Sequence, residues 1–587
     1  MPFRDLQSYL RHLEANNMLR RVAVEVDPEL EITEIVTRIV REEGPALLFE
    51  NVKGSPYPLA VNFMGSPGHI EMILGMHPQQ LGEKLADLIE TINPPSPKTL
   101  WNARAHWPAM LATRPQQVRR GPCHEVVEPP DLGRLPILKC WPGDGGRFIT
   151  FPLVLTRDPS SGASNLGIYR MHVYGGDRTG MHMQIQKGGG FHYHEAEKKS
   201  HPLPLACVIG ADPALMLSGI FPLPEGLSEI MFSGILRGGR TRMTRARTVD
   251  LDVPADAEFV LEGEVPPHER KMEGPFGDHF GHYSEAALFP VFHIKTVTRK
   301  KRPVYPAAVV GKPPQEDRYM GEASQEILKP FIRMIRPEVR DLWAYYEAGF
   351  HNLLVVSVET RYTKEPIKTA LGLLGEGQLG LSKVVILVEP DVNVRSFAHV
   401  LQAIQRNFDP RDDFLLVSRA PLDTLDFTSF KMHLGSKMVI DATGKTGLPP
   451  AGPVLGADPK EIAPGVTRWR LLEDTLLAVG VSSDAESTLA ALAGADALAG
   501  VKIIAAVSPD VDIEDNVSLI WGIFTRFDPA RDVRFRRTFM QGIKPFYEGV
   551  MTIDATHKKG YPQGLEMADE IKERVDKRWP DYWSQTE

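Results

Sequence analysis

A long stretch in the second half of this 587-residue chain is written twice. Val384 to Asp413 contains Val-Ile-Leu-Val-Glu-Pro-Asp-Val and then Asn-Phe-Asp-Pro-Arg-Asp. Residues 503 to 532 contain Ile-Ala-Ala-Val-Ser-Pro-Asp-Val and then Arg-Phe-Asp-Pro-Ala-Arg-Asp. Pro390 and Pro509 are 119 residues apart, as are Asp409 and Asp528, and Ile440-Asp441-Ala442-Thr443 is echoed at Ile553 to Thr556. Short apolar runs closed by turn residues read as buried strands, and helical stretches alternate with them. Two copies do not make a solenoid. The expectation is therefore an α/β layer domain that has been duplicated, with one copy at 316–450 and a degenerate copy plus a C-terminal helix at 451–587. The copies differ at Gly435-Ser436-Lys437, which becomes Glu548-Gly549-Val550. A phosphate needs a cation and backbone donors, so the first copy keeps that capacity and the second is expected to be structural.

Upstream, the patterns change twice. Within residues 1–115, Phe3, Leu6, Leu10 and Leu13 recur at helical spacing, as do Ile32, Ile35, Val36, Ile39 and Val40. Arg21 to Val26, Ala46 to Phe49 and Leu59 to Val61 read as strands, which makes this a small mixed α/β domain ending near Pro94-Pro95-Ser96-Pro97. Residues 116–315 carry short β-branched and aromatic runs between Gly, Pro and Asp turns, among them Phe151 to Leu155, Leu166 to Val173, Met181 to Ile185 and Val291 to Val297. That pattern predicts an antiparallel β domain closed into a barrel. The fold class is thus α/β multidomain. Leu565 to Val575 reads as an amphipathic helix, and the aromatic tail Trp579-Pro580-Asp581-Tyr582-Trp583 suggests docking on a neighbour.

Composition removes several classes of function. A net charge of −8 offers no nucleic-acid footprint. Cys123, Cys140 and Cys207 form an odd, sparse set with no Cys-x-x-Cys, which argues against disulfides and structural zinc. His192 and His194, two apart, lack a third ligand at zinc spacing. The start of the chain has no apolar signal core and no run spans a bilayer, so a cytoplasmic protein is expected, with peripheral membrane contact left open for a lipid-like substrate. Gly375-Glu376-Gly377-Gln378-Leu379-Gly380 matches Gly-x-Gly-x-x-Gly, but a helix precedes it and a strand follows. The dinucleotide fingerprint needs the reverse order, so this is a helix-to-strand loop.

Two stretches carry chemistry. Ser164-Asn165-Leu166-Gly167-Ile168-Tyr169-Arg170 combines an amide oxygen suited to a hard cation, a glycine that admits a ligand to the backbone, and a guanidinium fork for a carboxylate or phosphate. Glu273-Gly274-Pro275-Phe276-Gly277-Asp278-His279 sets two carboxylates five apart on a Gly/Pro-held loop. Two carboxyls in unlike surroundings can divide the work of holding and donating a proton.

With Leu227-Ser228-Glu229…Gly234-Ile235-Leu236-Arg237-Gly238 and Gly435-Ser436-Lys437-Met438…Asp441-Ala442-Thr443, these motifs stand in the order of the UbiD family of decarboxylases, which the chain resembles from its N-terminus to about residue 445. The resemblance implies a split β-barrel of the flavin-reductase type. It implies non-oxidative, reversible decarboxylation of an aromatic or α,β-unsaturated acid. The cofactor would be prenylated FMN supplied by a separate flavin prenyltransferase, because no side chain is an adequate electron sink for such a reaction. Arg170, Glu273 and Asp278 would be the catalytic group, with Arg170 and Glu273 orienting substrate and Asp278 donating the proton. Asn165 and Glu229 would ligate Mn2+ or Mg2+, with K+ also admitted. The family's third ligand, a His, reads Gln186 here, and His182 is an alternative. Asn165, Ile168, Tyr169, Arg170, His182, Met183, Gln184, Lys187 and Gly188 would line the cofactor, and Lys437 would reach its phosphate. The family also implies a homo-oligomer, dimer or hexamer. Its substrates point to a quinone precursor, either a dihydroxynaphthoate or a polyprenyl-hydroxybenzoate. An FMN-dependent flavin reductase and a non-catalytic scaffold are the competing readings.

Overall fold

The computed structural model describes residues 3–93, 96–102, 104, 107–184, 188–223, 227–444 and 452–584. The chain forms two compact units, one of residues 1–327 with 564–587 and one of residues 328–563.

In the first unit, Asp5 caps the helix Leu6–Ala15 in a capping box with Ser8. The helix Glu31–Arg41 buries Ile32, Ile35, Val36, Ile39 and Val40, as its spacing predicts. Strands Leu19–Val22, Ala46–Phe49, Leu59–Val61 and Tyr305–Pro306 pair in that order. The expected strand at Arg21 to Val26 is shorter and earlier, and Val26 makes only an isolated bridge to Val52.

The β-rich middle is an eight-stranded antiparallel sheet. Its path runs Arg178–Gly180, Ala287–Arg299, Phe259–Val265, Leu203–Ile209, Pro152–Arg157, Ser164–Ile168. Arg270–Glu273 and Val126–Glu128 also pair with Ala287–Arg299. The expectation of a closed barrel is corrected: among the described residues the two end strands do not pair and the sheet stays open. The 13-residue strand Ala287–Arg299 takes four partners at different points along its length, which bends the sheet without returning it to its first edge. The register slips between Glu262 and Gly263, where a Cβ would meet the carbonyl oxygen of His293 at 1.9 Å; only glycine fits that bulge. Of the stretch Met181 to Ile185, read as strand, the described residues Met181 to Gln184 form no regular element; Met181 N donates to Pro290 O at 2.9 Å and His182 N to Arg170 O at 3.3 Å.

The aromatic tail docks on the first unit of its own chain. In the helix Asp569–Trp583, Arg578 and Tyr582 both donate to Oε1 of the buried Glu31. Arg38 and Arg20 lie over the rings of Trp579 and Trp583 at 5.4 and 5.6 Å. Residues 564–587 thus belong with the N-terminal half and not with the second α/β copy.

The second unit holds the duplication. One sheet orders its strands Val339–Ala344, Leu354–Val358, Val384–Val388, Gly435–Asp441, Phe414–Ala420. The other orders Val466–Leu472, Leu476–Val481, Ile503–Val507, Lys544–Ala555, Val533–Gln541. In both, the outer pairs are antiparallel and the inner pairs parallel. The repeated residues do the same local work. Asp409 and Asp528 cap short helices, and Thr443 and Thr556 each fold back onto the Asp two residues before. The copies pack through Phe414 against Phe535 and Tyr547, with centroids 4.9 and 5.1 Å apart. Gly377–Leu381 is a short 3-10 helix in the connection from the helix Glu365–Leu373 to the strand Val384–Val388, so the strand-to-helix order of a dinucleotide turn does not occur there. No helix among the described residues is long and apolar enough to cross a membrane.

Candidate active site

The strand Ser164–Ile168 delivers Arg170 just past its C-terminal end, and the strand Arg270–Glu273 delivers Glu273 at its own end. Residues 103 apart in sequence therefore meet. Arg170 Nε donates to Glu273 Oε1 at 3.0 Å, Nη1 donates to Asp278 Oδ2, and Nη2 donates to Ser284 Oγ at 2.9 Å. The guanidinium lies over the Phe276 ring, 4.8 Å from its centroid. Arg170 is 8% exposed and Glu273 not at all. A buried cation flanked by two carboxylates is stable only with such a full set of partners.

His182 Nδ1 lies 2.9 Å from the same Glu273 Oε1. A carboxylate only accepts, so Nδ1 carries the imidazole proton. The His182 ring rests on Phe289 at 4.3 Å. Glu273 Oε2 is buried with no hydrogen-bond partner. A buried carboxylate oxygen left unpaired costs desolvation free energy, and such exceptions mark a place where a further group binds. Burial alone would raise the Glu273 carboxyl; His182 and Arg170 outweigh it and hold the group below its ordinary value. Burial also works against Asp278, but the hydrogen bond from His279 Nδ1 at 2.9 Å and the Arg170 charge hold it well below the usual carboxylate range. Both acids are thus carboxylates at neutral pH.

A second group of side chains lies along the same strand. Asn165 Nδ2 donates to Tyr169 Oη at 3.3 Å, and Tyr169 Oη accepts from Gly189 N at 3.0 Å. This turns the Asn165 amide oxygen toward Gly188, where a Cβ would stand 2.2 Å from it. Glu229, first residue of the helix Glu229–Arg237, accepts from Leu166 N through Oε2 at 3.2 Å, and burial raises its carboxyl. The amide oxygen thus faces Gly188, and the carboxylate reaches the backbone N–H of the next residue, Leu166. Two hard oxygen donors suit Mg2+ or Mn2+. Among the described residues no group of three His, Cys, Asp or Glu could hold a metal.

Of the remaining expected residues, Ile168 ends its strand opposite Leu153, Met183 is buried in the core, and Gln184 Nε2 lies 3.4 Å from His182 Nε2. Gln186 and Lys187 lie outside the described residues. Lys437 belongs to the second unit, where Nζ donates to the carbonyls of Gly380 and Ser382 at 2.8 and 2.9 Å and burial lowers its amine to about 8. Beside it, Ser436 N and Oγ donate to Asp528 of the other copy at 3.0 and 2.7 Å. The Gly-Ser-Lys stretch therefore joins the two copies, and the residues bonded around Arg170, namely Glu273, Asp278, Ser284 and His182, belong to the first unit. Sequence reasoning missed Ser284, the Phe276 platform and the contact of His182 with Glu273. Ser284 and the His182 contact have no motif of their own; Phe276, like His279, lies inside the acidic stretch.

Three family models match the chain: the 3-octaprenyl-4-hydroxybenzoate carboxy-lyase N-terminal domain at residues 10–89, its Rift-related domain at 116–313, and its C-terminal domain at 318–442 and 474–555. A protein of Chlamydia pneumoniae named as one subunit of a 4-hydroxybenzoate decarboxylase is 36% identical over 589 residues, covering 99% of each chain. The vanillic acid decarboxylase of Sedimentibacter hydroxybenzoicus, in closed form, superposes with a TM-score of 0.67 at 28% identity, covering 77% of this chain and 94% of its own. An evolved dimeric form of the UbiD-class enzyme HmfF from Pelotomaculum thermopropionicum, in complex with prFMN, does so at 0.63 and 26%, covering 76% and 98%. With its N-terminal, central and C-terminal thirds all matched in order, the chain belongs to the UbiD family of carboxy-lyases.

Proposed function

We propose that this protein is a prenylated-FMN-dependent, non-oxidative decarboxylase of an aromatic acid, a hydroxylated benzoate or naphthoate that serves as a quinone precursor. The observation that carries the reading is the buried Arg170–Glu273–Asp278 cluster with one carboxylate oxygen left unpartnered. The names of its relatives support the substrate class, and the prFMN complex of a structural neighbour supports the cofactor. When bound, prenylated FMN supplies the electron sink that the side chains lack.

The residues present fit that group and a divalent cation. Gly188 leaves room beside Asn165 that any Cβ would fill, and Asn165 and Glu229 supply hard oxygens, the first facing Gly188 and the second bonded to the adjacent Leu166 N. These two residues would hold Mn2+ or Mg2+. A flavin prenyltransferase would supply the cofactor, and the family's oligomers make a homo-oligomer the expected assembly.

The chain's own residues have three tasks. Arg170 keeps Glu273 and Asp278 ionised and apart, one on each side of its fork. Glu273 Oε2 accepts from a donor on the substrate or cofactor, and His182 Nδ1–H fixes the carboxylate's other oxygen. Asp278, a carboxylate at rest, takes up a proton through His279 before it can return one to the carbon that has lost carbon dioxide. Burial of the cluster keeps water from competing for that carbon.

The test is co-production with a flavin prenyltransferase, mass spectrometry of the bound flavin, and an assay of carbon dioxide release from hydroxybenzoates and hydroxynaphthoates. Prenylated flavin with turnover is expected, and Glu273→Gln should abolish turnover while keeping fold and flavin. Unmodified FMN that oxidises a nicotinamide would replace this reading with a flavin reductase. Flavin-free, inert protein would leave a scaffold.

A further inference from the structure

The acid loop is held from outside by a turn that no part of this mechanism yet uses. In Trp141-Pro142-Gly143-Asp144-Gly145 the carboxylate of Asp144 is 6% exposed and accepts three backbone N–H groups. Oδ2 accepts from Cys140 N at 3.1 Å and from Trp141 N at 2.8 Å, and Oδ1 accepts from Gly277 N at 2.7 Å. Gly277 is the residue immediately before Asp278. The same turn reaches the loop twice more: Gly145 N donates to Pro275 O at 2.8 Å, and Gly143 N donates to Tyr283 Oη at 3.0 Å. The Trp141 ring closes over Gly277, where a Cβ would lie 2.3 Å from its Cδ1, and Trp141 Nε1 is anchored on Val310 O at 2.8 Å. At the other end of the loop, Gly274 N donates to His172 Nδ1 at 3.3 Å.

We propose that Asp144 is a positioning residue for the reaction: its carboxylate bolts the backbone at Gly277 to the Cys140–Trp141 turn and so fixes where Asp278 stands relative to Arg170 and Glu273. The need for such a device is geometric. Glu273 sits at the end of a paired strand, whereas Asp278 follows a loop of glycines and a proline that has little pairing of its own. A proton donor displaced by about 1 Å can lose two orders of magnitude in rate. An ionised carboxylate is the strongest available acceptor for backbone N–H groups and takes three donors at once. Burial pushes the group up to about 6, opposed by those three N–H groups, so it is ionised at neutral pH. Asparagine has the same shape, but its NH2 end would face a donor wherever it turned.

This assignment rests on the decarboxylase reading for its kinetic arm and stands apart from it in its exchange arm. In the full-length holoenzyme, Asp144→Asn should speed hydrogen–deuterium exchange about tenfold in the peptide spanning residues 273–284 and leave peptides of the second unit unchanged. With the substrate acid, kcat should fall about 10–100-fold while KM stays within about threefold, because the change acts on the transition state and not on binding. Placed on an Asp278→Asn background, Asp144→Asn should add nothing, since both act through one group. Tyr283→Phe, which removes only the Gly143 contact, should show the same pattern weakly and serves if Asp144→Asn does not fold. Unchanged exchange with full kcat, or losses that multiply with those of Asp278→Asn, would overturn the assignment. Loosened exchange in a protein that releases carbon dioxide from no aromatic acid would keep the clamp and refute the decarboxylase.

Discussion

Arg170 decides the electrostatics of the site. It is hydrogen-bonded to both Glu273 and Asp278, and its side chain is 8% exposed, between Glu273 at 0% and Asp278 at 13%. Removing one partner of a buried ion pair costs about 3–5 kcal/mol, because the other charge is left uncompensated. Arg170→Gln should therefore lower the unfolding temperature of the first unit at neutral pH. The pH dependence has a definite sign. In the wild type both carboxyls sit below their ordinary values, so their stabilising contribution is complete above about pH 4.5 and is lost as pH falls through the folded values. Without the guanidinium, burial gains weight and the two values rise. The variant's deficit should then be largest near pH 7.5 and shrink toward pH 5, as thermal scans at about these two values would show. A flat difference would mean that the pair is not charged in the native protein. At the second group of side chains, Glu229→Gln should lower the Mn2+ retained per chain, read by elemental analysis, without lowering the thermal transition, since a glutamine amide oxygen still accepts from Leu166 N.

At the scale of elements, the site depends on where strands stop. Ser164–Ile168 ends two residues before Arg170, and Arg270–Glu273 ends on Glu273, so both side chains project from positions that sheet pairing has already fixed. The glycine-rich start of the helix Gly188–Lys198 is held close to the first of these strands by the Tyr169 hydroxyl. Gly188→Ala tests whether that closeness matters. Its Cβ would collide with the Asn165 amide, which would swing away. Flavin and metal content should fall severalfold, while the melting temperature drops by only about a degree or two, within the range of a mild helix-end substitution. Retained metal with a large melting shift would make Gly188 a packing residue. The repeat was legible in these elements before any fold was known, because Asp caps and Asp-x-Thr turns are local devices. The open sheet was not. Whether antiparallel strands close depends on bends and bulges such as Gly263, which act over several strands at once.

On the scale of the whole molecule, the chain is tied at both ends of the first unit. The helix Asp569–Trp583 returns to the helix Glu31–Arg41, where Arg578 and Tyr582 satisfy Glu31 and the side chains of Ile571, Val575 and Tyr582 are buried. Each such side chain is worth about 1.5–3 kcal/mol. A chain ending at residue 563 should show calorimetric melting in which the transition of the first unit falls by about 10 °C or more and that of the second is unmoved. Equal loss in both would mean that the two units unfold as one. In the second unit, Ser436→Ala should destabilise, because it removes the buried hydroxyl that bonds both Asp528 Oδ1 and Ala530 N; about 1–3 kcal/mol is expected.

The sequence by itself determined the family and the duplication with its matching caps and turns. Those conclusions follow from local spacing and from motifs that survive without coordinates. Only the tertiary structure decided what each group touches. It showed that both acids share one guanidinium, that His182 serves Glu273, that Ser436 and Lys437 are engaged inside their own unit, and that Asp144 reaches Gly277 across 133 positions. The reason is physical. A side chain's charge state, orientation and remaining lone pairs are set by neighbours within a few ångströms, and at this site Arg170 meets Glu273 and Asp278, and Asp144 meets Gly277, from strands and turns more than a hundred residues away in the chain.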